Sequence, residues 1–179
     1  EDQVQHIELT RRTARRFNNR FGTVFPEPNE LLSLTPKILG TDGKAKMSKS
    51  MNNFIGILEP PETIRKKILT AATDPQRVRR NDPGNPEVCN LFTMHKAFSP
   101  QETFMEIDKG CRSAGIGCIQ CKQTLFENIM AELAPIQLRA AELDRSPDII
   151  SATLEHGTQR CREIARQVME EVRQKTGIR

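Results

Sequence analysis

The sequence contains no Trp and no Tyr, and its eight Phe are its whole aromatic complement. Large rings that plug sandwich and barrel cores are therefore scarce, and helices packed on aliphatic side chains are the better expectation. No apolar run approaches the roughly 20 residues that would cross a bilayer. No charged-then-apolar leader opens the chain, so the expected setting is the cytoplasm, away from any membrane. A Walker loop is missing too: Gly40-Thr41-Asp42-Gly43-Lys44 has two residues between its glycines, and Ala45 stands where Ser or Thr is required. The chain opens on Glu1-Asp2-Gln3, without a methionine, and runs straight into a helical pattern, as a piece of something longer would.

What is present is a chain of 179 residues with 27 basic and 23 acidic side chains, sized for one large domain or two small ones. Residues 1–82 hold 15 basic and 10 acidic side chains, against 12 and 13 in 83–179. The positive excess lies in the first half, where a phosphate-bearing partner is expected, the alternative being a plain solvated basic face.

Val4, Ile7, Ala14, Phe17 and Phe21 recur at helical spacing, and Gly22 supplies a stop. The opposite face, with Arg11, Arg12, Arg15 and Arg16, is expected to be solvated. Residues 23–58, broken by Pro26, Pro28 and Pro36, read as loops with two short strands. A helix follows from Pro60-Pro61 to about Thr73, then a linker over 74–86 whose Arg77, Arg79 and Arg80 read equally as solvated or as contacts to nucleic-acid phosphates. Further helices are expected from Pro86 to Phe98, from a Ser99-x-x-Glu102 capping box to about Gly110, and from Ile119 to Leu143. Gly157 is expected to divide the last stretch in two. Met94, Met105, Met130 and Met169 fall in helical patterns as core filling, and His6, His95 and His156 read as solvated or hydrogen-bonded side chains.

Two patterns carry chemistry. Lys46-Met47-Ser48-Lys49-Ser50 follows Ile38-Leu39 in a glycine-containing loop. Two ammonium groups on one pliable turn can meet one polyphosphate, and hydroxyls and amide N–H groups add neutral donors. Separately, four of the five cysteines, Cys89, Cys111, Cys118 and Cys121, are spaced C-x21-C-x6-C-x2-C, with Cys161 apart. Cys118 and Cys121 share a turn at a helix head, and Cys111 is expected in a glycine-rich loop before it. Four thiolates suit zinc or an iron–sulfur cluster, and buried apolar cysteines are the plain alternative; spacing alone does not decide.

Lys46-Met47-Ser48-Lys49-Ser50 is identified with the KMSKS signature of class I aminoacyl-tRNA synthetases. Glu1-Asp2-Gln3 followed by His6, Glu8-Leu9-Thr10-Arg11 and Arg16-Phe17-Asn18, with Ile64-Arg65-Lys66-Lys67-Ile68, Thr73-Asp74 and Asn90-Leu91-Phe92, resembles bacterial tryptophanyl-tRNA synthetase over nearly the whole chain. The resemblance implies a mainly α fold. Residues 1–84 would form the C-terminal edge of a Rossmann-type nucleotide-binding domain, and 85–179 a helical anticodon-binding bundle. It implies tryptophan–tRNA ligation, with ATP and magnesium, tryptophan and the tRNA for tryptophan as ligands, in a homodimeric parent.

Carried over residue by residue, Lys46 and Lys49 would hold the β- and γ-phosphates, Ser48 would donate nearby, and the Met47 backbone would lie against adenine. Asp2 would face the ribose and Gln3 the tryptophan or adenylate. A subset of the family carries a four-iron, four-sulfur cluster on a very similar cysteine spacing, from which this one departs by one residue fewer in the first gap. Cys89, Cys111, Cys118 and Cys121 would be its ligands, with zinc the alternative. The family's other signature, of His-Ile-Gly-His type, is absent, so this polypeptide alone is not expected to activate tryptophan. The competing reading is a non-catalytic RNA-binding or iron–sulfur module.

Overall fold

The structure is a computed structural model that describes residues 3–33 and 38–178. It is mainly helical, and among the described residues no helix is long and apolar enough to cross a membrane. Two compact units result, one made of Glu1–Leu32 with Leu143–Arg179 and the other of Ser33–Glu142. The change at 84/85 read from the sequence falls inside the second.

In the first unit, α1 (Val4–Phe21) stops where Gly22 turns to φ 92° and gives its N–H to the Asn18 carbonyl. Asn18 then fastens the following turn: its Oδ1 accepts from the N–H groups of Val24 and Phe25, and its Nδ2 donates to the Phe25 carbonyl. The rings of Phe21 and Phe25 pack on Phe17, each with centroids 5.0 Å apart, the first tilted and the second edge-on. The arginine face is less solvated than expected. Arg11 donates to the Pro28 carbonyl at 2.9 Å and pairs with Glu8 and Glu30, and Arg15 pairs with Glu27. Pro26 and Pro28 stiffen the segment that brings these acceptors back along the helix. Arg12, with its side chain 76% exposed, keeps the expected solvated role.

The other helix of this unit, α6 (Pro147–Thr176), is continuous through Gly157, contrary to the expected break. A glycine in an exposed helix costs only about 1 kcal/mol relative to alanine, and the strong helix formers around it outweigh that. Gly177, at φ 73°, closes it by donating to the Arg173 carbonyl.

The second unit holds α2 (Pro61–Thr70), a short 3₁₀ turn (Pro86–Val88), α3 (Asn90–Phe98), α4 (Gln101–Arg112) and α5 (Cys118–Asp144). Ile64 and Ile68 of α2, Leu91 and Met94 of α3, and Leu125 and Ile129 of α5 form the core, with Ala71. Each of the larger side chains contributes roughly 1.5–3 kcal/mol by leaving water. Met105 and Met169 stay exposed, at 61% and 42%, so they are not core.

Several ends differ from the sequence reading for identifiable reasons. Helix α2 stops at Thr70, because Lys122 of α5 donates to the carbonyls of Leu69 and Ala71 at 2.8 Å each and satisfies its C-terminal acceptors. The Ser99 capping box does not form. Its hydroxyl instead meets His95 Nδ1 at 2.7 Å and accepts from Asn128 at 2.8 Å, leaving α4 without a side-chain cap. Helix α4 also continues past Gly110, so Cys111 lies in its last turn and not in a loop. The extended backbone of Cys89 separates the 3₁₀ turn from α3. Of the two expected strands, the described residues show only an isolated antiparallel bridge between Leu39 and Lys46.

Candidate functional site

The lysine loop is built on that bridge. Gly40 donates its N–H to Ala45 O, Met47 to Ile38 O, and Gly43, at φ 66°, turns the chain between them. The Met47 side chain packs against the core of α2, α3 and α5, so the loop is anchored at its middle. Lys46 and Lys49 remain exposed to either side of that anchor. The Ser48 N–H is held at 2.8 Å by the Asn53 side-chain oxygen, while its hydroxyl lies 3.2 Å from Ser50 and accepts from the Met51 N–H at 3.3 Å. One loop thus carries Lys46, Met47, Ser48 and Lys49 together, as expected. Gln3 precedes α1 in the other unit, and Asp2 lies outside the described residues.

The base of the loop is tied into the helices. Thr41 O accepts from Ala72 N at 2.9 Å, and Gly40 O accepts from buried Asn90 Nδ2 at 2.7 Å. Asp42 is kept below the usual carboxylate range, chiefly by the Lys44 backbone N–H, with Asn53 contributing. Sequence reasoning missed Asn53 and Asn90, since nothing in a short polar run marks which side chain will be buried.

The four clustered cysteines converge. Cys89, Cys111, Cys118 and Cys121 line one small, largely apolar cavity with Thr73, Asp74, Arg77, Leu91, Ile116. Burial pushes the Cys111 thiol up, countered by Arg77, and carries Cys121 up to about 12, with the other three thiols adding to the rise. As free groups Cys111 and Cys121 therefore stay protonated at neutral pH. Among the described residues no three His, Cys, Asp or Glu side chains are placed to hold a single metal ion. Cys161 is exposed on α6 and plays no part.

The wall of this cavity is fixed by groups that the sequence leaves as either a solvated linker or contacts to phosphates. Arg77 donates to Ile116 O at 2.6 Å and Arg80 O at 3.1 Å, its Nη1 lies 3.8 Å from Cys111 Sγ, and its buried Nε has no partner. Arg80 donates to Ala114 O and Gly115 O. Asp74, buried, accepts from the N–H groups of Gln76 and Asn85 at 2.8 and 2.7 Å. His95 is fully buried, with Nε2 3.2 Å from Cys121 O, and desolvation lowers its pKa to about 4. It is a neutral structural group, and its Nε2–H donates to Cys121 O while Nδ1 accepts from Ser99.

A family profile described as tRNA synthetases class I (W and Y) matches residues 1–134. The tryptophan–tRNA ligase of Deinococcus radiodurans is 52% identical over 99% of this chain and 54% of that protein. That of Thermotoga maritima is 47% identical over 97% of this chain and 53% of that protein. The crystal structure of the tryptophanyl-tRNA synthetase of Campylobacter jejuni, complexed with ADP and tryptophan, has a TM-score of 0.74 at 32% identity, covering 99% of this chain and 55% of that one. The Mycoplasma pneumoniae synthetase, with a TM-score of 0.79 at 24% identity, supports the fold alone. The chain spans about half the length of the curated relatives it matches. With the profile running through the lysine loop and on into α5, the chain belongs to the class I tRNA synthetases of the tryptophan and tyrosine group.

Proposed function

We propose that this chain supplies the C-terminal part of a tryptophan–tRNA ligase. In this reading residues 1–84 complete the nucleotide-binding domain and 85–179 form the anticodon-binding region. The observation that carries it is the loop at Lys46–Ser50, which exposes two lysines beside a core-anchored methionine, in a chain 52% identical to such a ligase.

The tryptophan carboxylate attacks the α-phosphate of ATP, pyrophosphate leaves, and the adenylate then passes its acyl group to the terminal ribose of the tRNA. Negative charge grows on the β- and γ-phosphates as the bond breaks. Lys46 and Lys49 offset it, Ser48 adds a neutral donor, and the Met47 backbone lies against adenine. Magnesium, bound with ATP, contributes further charge compensation on the phosphates. Asp2 faces the ribose hydroxyls and Gln3 the tryptophan or adenylate. The second class I signature and the rest of the amino-acid pocket come from outside this chain, so the chain alone does not activate tryptophan. The whole enzyme is a homodimer and works in the cytoplasm.

A four-iron, four-sulfur cluster would take Cys89, Cys111, Cys118 and Cys121, which line one cavity, as its ligands. Four soft sulfurs suit iron–sulfur or zinc chemistry and no hard cation. Arg77 offers its guanidinium to the resulting negative charge. Such a cluster would be structural, its four ligands tying Cys89 ahead of α3 and Cys111 of α4 to the head of α5.

The test of function is tryptophan-dependent ATP–pyrophosphate exchange by the complete enzyme. Lys46→Ala and Lys49→Ala are each expected to slow it about 10²–10³-fold, as loss of a preorganised transition-state donor does. Unchanged exchange in the double variant overturns the reading. Iron and sulfide analysis of anaerobically prepared protein tests the cluster, and an iron-free preparation containing zinc replaces it with the alternative.

A further inference from the structure

Two lysines on a loop are useful only if the peptides between them are held. Those peptides are held by one side chain. Asn53 is 3% exposed. Its Oδ1 accepts from Ser48 N at 2.8 Å, and its Nδ2 donates to Lys46 O at 3.3 Å and to Asp42 Oδ2 at 3.2 Å. Its own backbone carbonyl accepts from Thr41 N at 2.8 Å. The carboxamide therefore grips the peptides on both sides of Met47, between the two lysines, and ties them to the opposite arm of the loop.

Both amide hydrogens and the oxygen are used, so the group is chemically specified. A carboxylate would face Asp42 and the Lys46 carbonyl, an aliphatic side chain would leave three polar groups unpaired, and Gln is one carbon too long. The space is specified as well. A Cβ at Gly40 would overlap the Asn53 amide, so Gly40 is the residue that admits it. Asn52, at φ 50°, turns the chain so that Asn53 points inward.

We propose that Asn53 is the positioning residue of the lysine loop, setting the spacing and orientation of Lys46 and Lys49 toward the triphosphate while touching no substrate itself. This rests on the reading of the loop as the ATP loop. Its consequence is selective: losing Asn53 impairs ATP use and leaves tryptophan recognition, which lies elsewhere, nearly intact.

The experiment is pyrophosphate exchange by the complete enzyme, with ATP and tryptophan varied separately. Asn53→Ala is expected to raise the KM for ATP about tenfold or more and lower kcat, with the KM for tryptophan within about twofold. Asn53→Asp supplies a second readout if the alanine variant folds poorly. The titratable group facing position 53 is Asp42, on which Lys44 acts as the nearby cation. Two carboxylates at that distance share a proton more readily as pH falls, so the variant's exchange is expected to recover severalfold relative to wild type as pH is lowered from about 7.5 toward 5. A wild-type pH profile in Asn53→Asp, or parallel increases in both KM values, overturns the proposal. Full exchange in the Lys46→Ala, Lys49→Ala double variant sinks the ATP-loop reading itself; loss there with unaffected Asn53 variants sinks only the role of Asn53.

Discussion

Replacing Asp74 tests whether the 74–86 segment is a fixed wall of the cysteine cavity. Its carboxylate is 5% exposed and accepts two backbone hydrogen bonds, from Gln76 at 2.8 Å and from Asn85 at 2.7 Å. The second spans eleven residues and closes the segment into a loop. Hydrogen bonds to a charged acceptor contribute about 1.5–3 kcal/mol each, so Asp74→Ala removes up to about 6 kcal/mol in gross terms. Removing a buried charge returns part of that, and water entering the vacated space returns more. The expected net loss is about 3 kcal/mol. Asp74→Asn keeps one acceptor oxygen but turns an NH₂ group toward the other N–H, so about half that loss is expected. Because the chain has two compact units, the informative assay is local: hydrogen exchange at the Gln76 and Asn85 amides alongside urea unfolding. Asp74→Ala with both amides still protected, and a loss below about 1 kcal/mol, would refute the reasoning.

Ile68, fully buried in the core, is expected to cost about 2–5 kcal/mol on replacement by Ala. Leu31→Ala, at a side chain 98% exposed, should stay within about 0.5 kcal/mol in the same urea titration. Glu59 is pushed up by desolvation but pulled down further by hydrogen bonds and by Lys67, so its net pKa lies below the ordinary value of 4.5. Its stabilising share is full above that value and disappears as pH falls through the folded-state pKa. Lys67→Met should therefore lower stability by about 1 kcal/mol at pH 7 and by less at pH 3, read from thermal melts. At Gly84 an added Cβ would stand 2.5 Å from Cys111 Sγ. On the proposed cluster, Gly84→Ala is expected to lower the iron-to-protein ratio of the complete enzyme to about half or less, with displaced thiol geometry as the cause; full retention of iron would show that the cavity yields more easily than its packing indicates.

The sequence by itself made most of the helices and both chemical motifs legible, though not every helix end. A period of 3.6 residues, a proline at a first turn or a glycine after a last one acts within a few residues, so α1, α2 and α5 were readable from Val4, Pro61 and Cys118 onward. The lysine pentapeptide and the cysteine spacing were equally local. Tertiary structure alone decided the fate of polar side chains. Ser99, placed as a helix cap by its neighbours, is drawn to His95 and Asn128 from another helix. Arg77, in a segment that reads as solvated or phosphate-contacting, turns inward beside Cys111, and Asn53, in an unremarkable Asn-Asn pair, becomes the clasp of the loop. A buried polar group is fixed by whichever partners the folded chain brings to it, 5 to 11 residues away for the Asn53 side chain and as far as 39 for Arg77, whose donors and acceptors must be satisfied once water is excluded. Helical period and local propensity do not show which partners those will be.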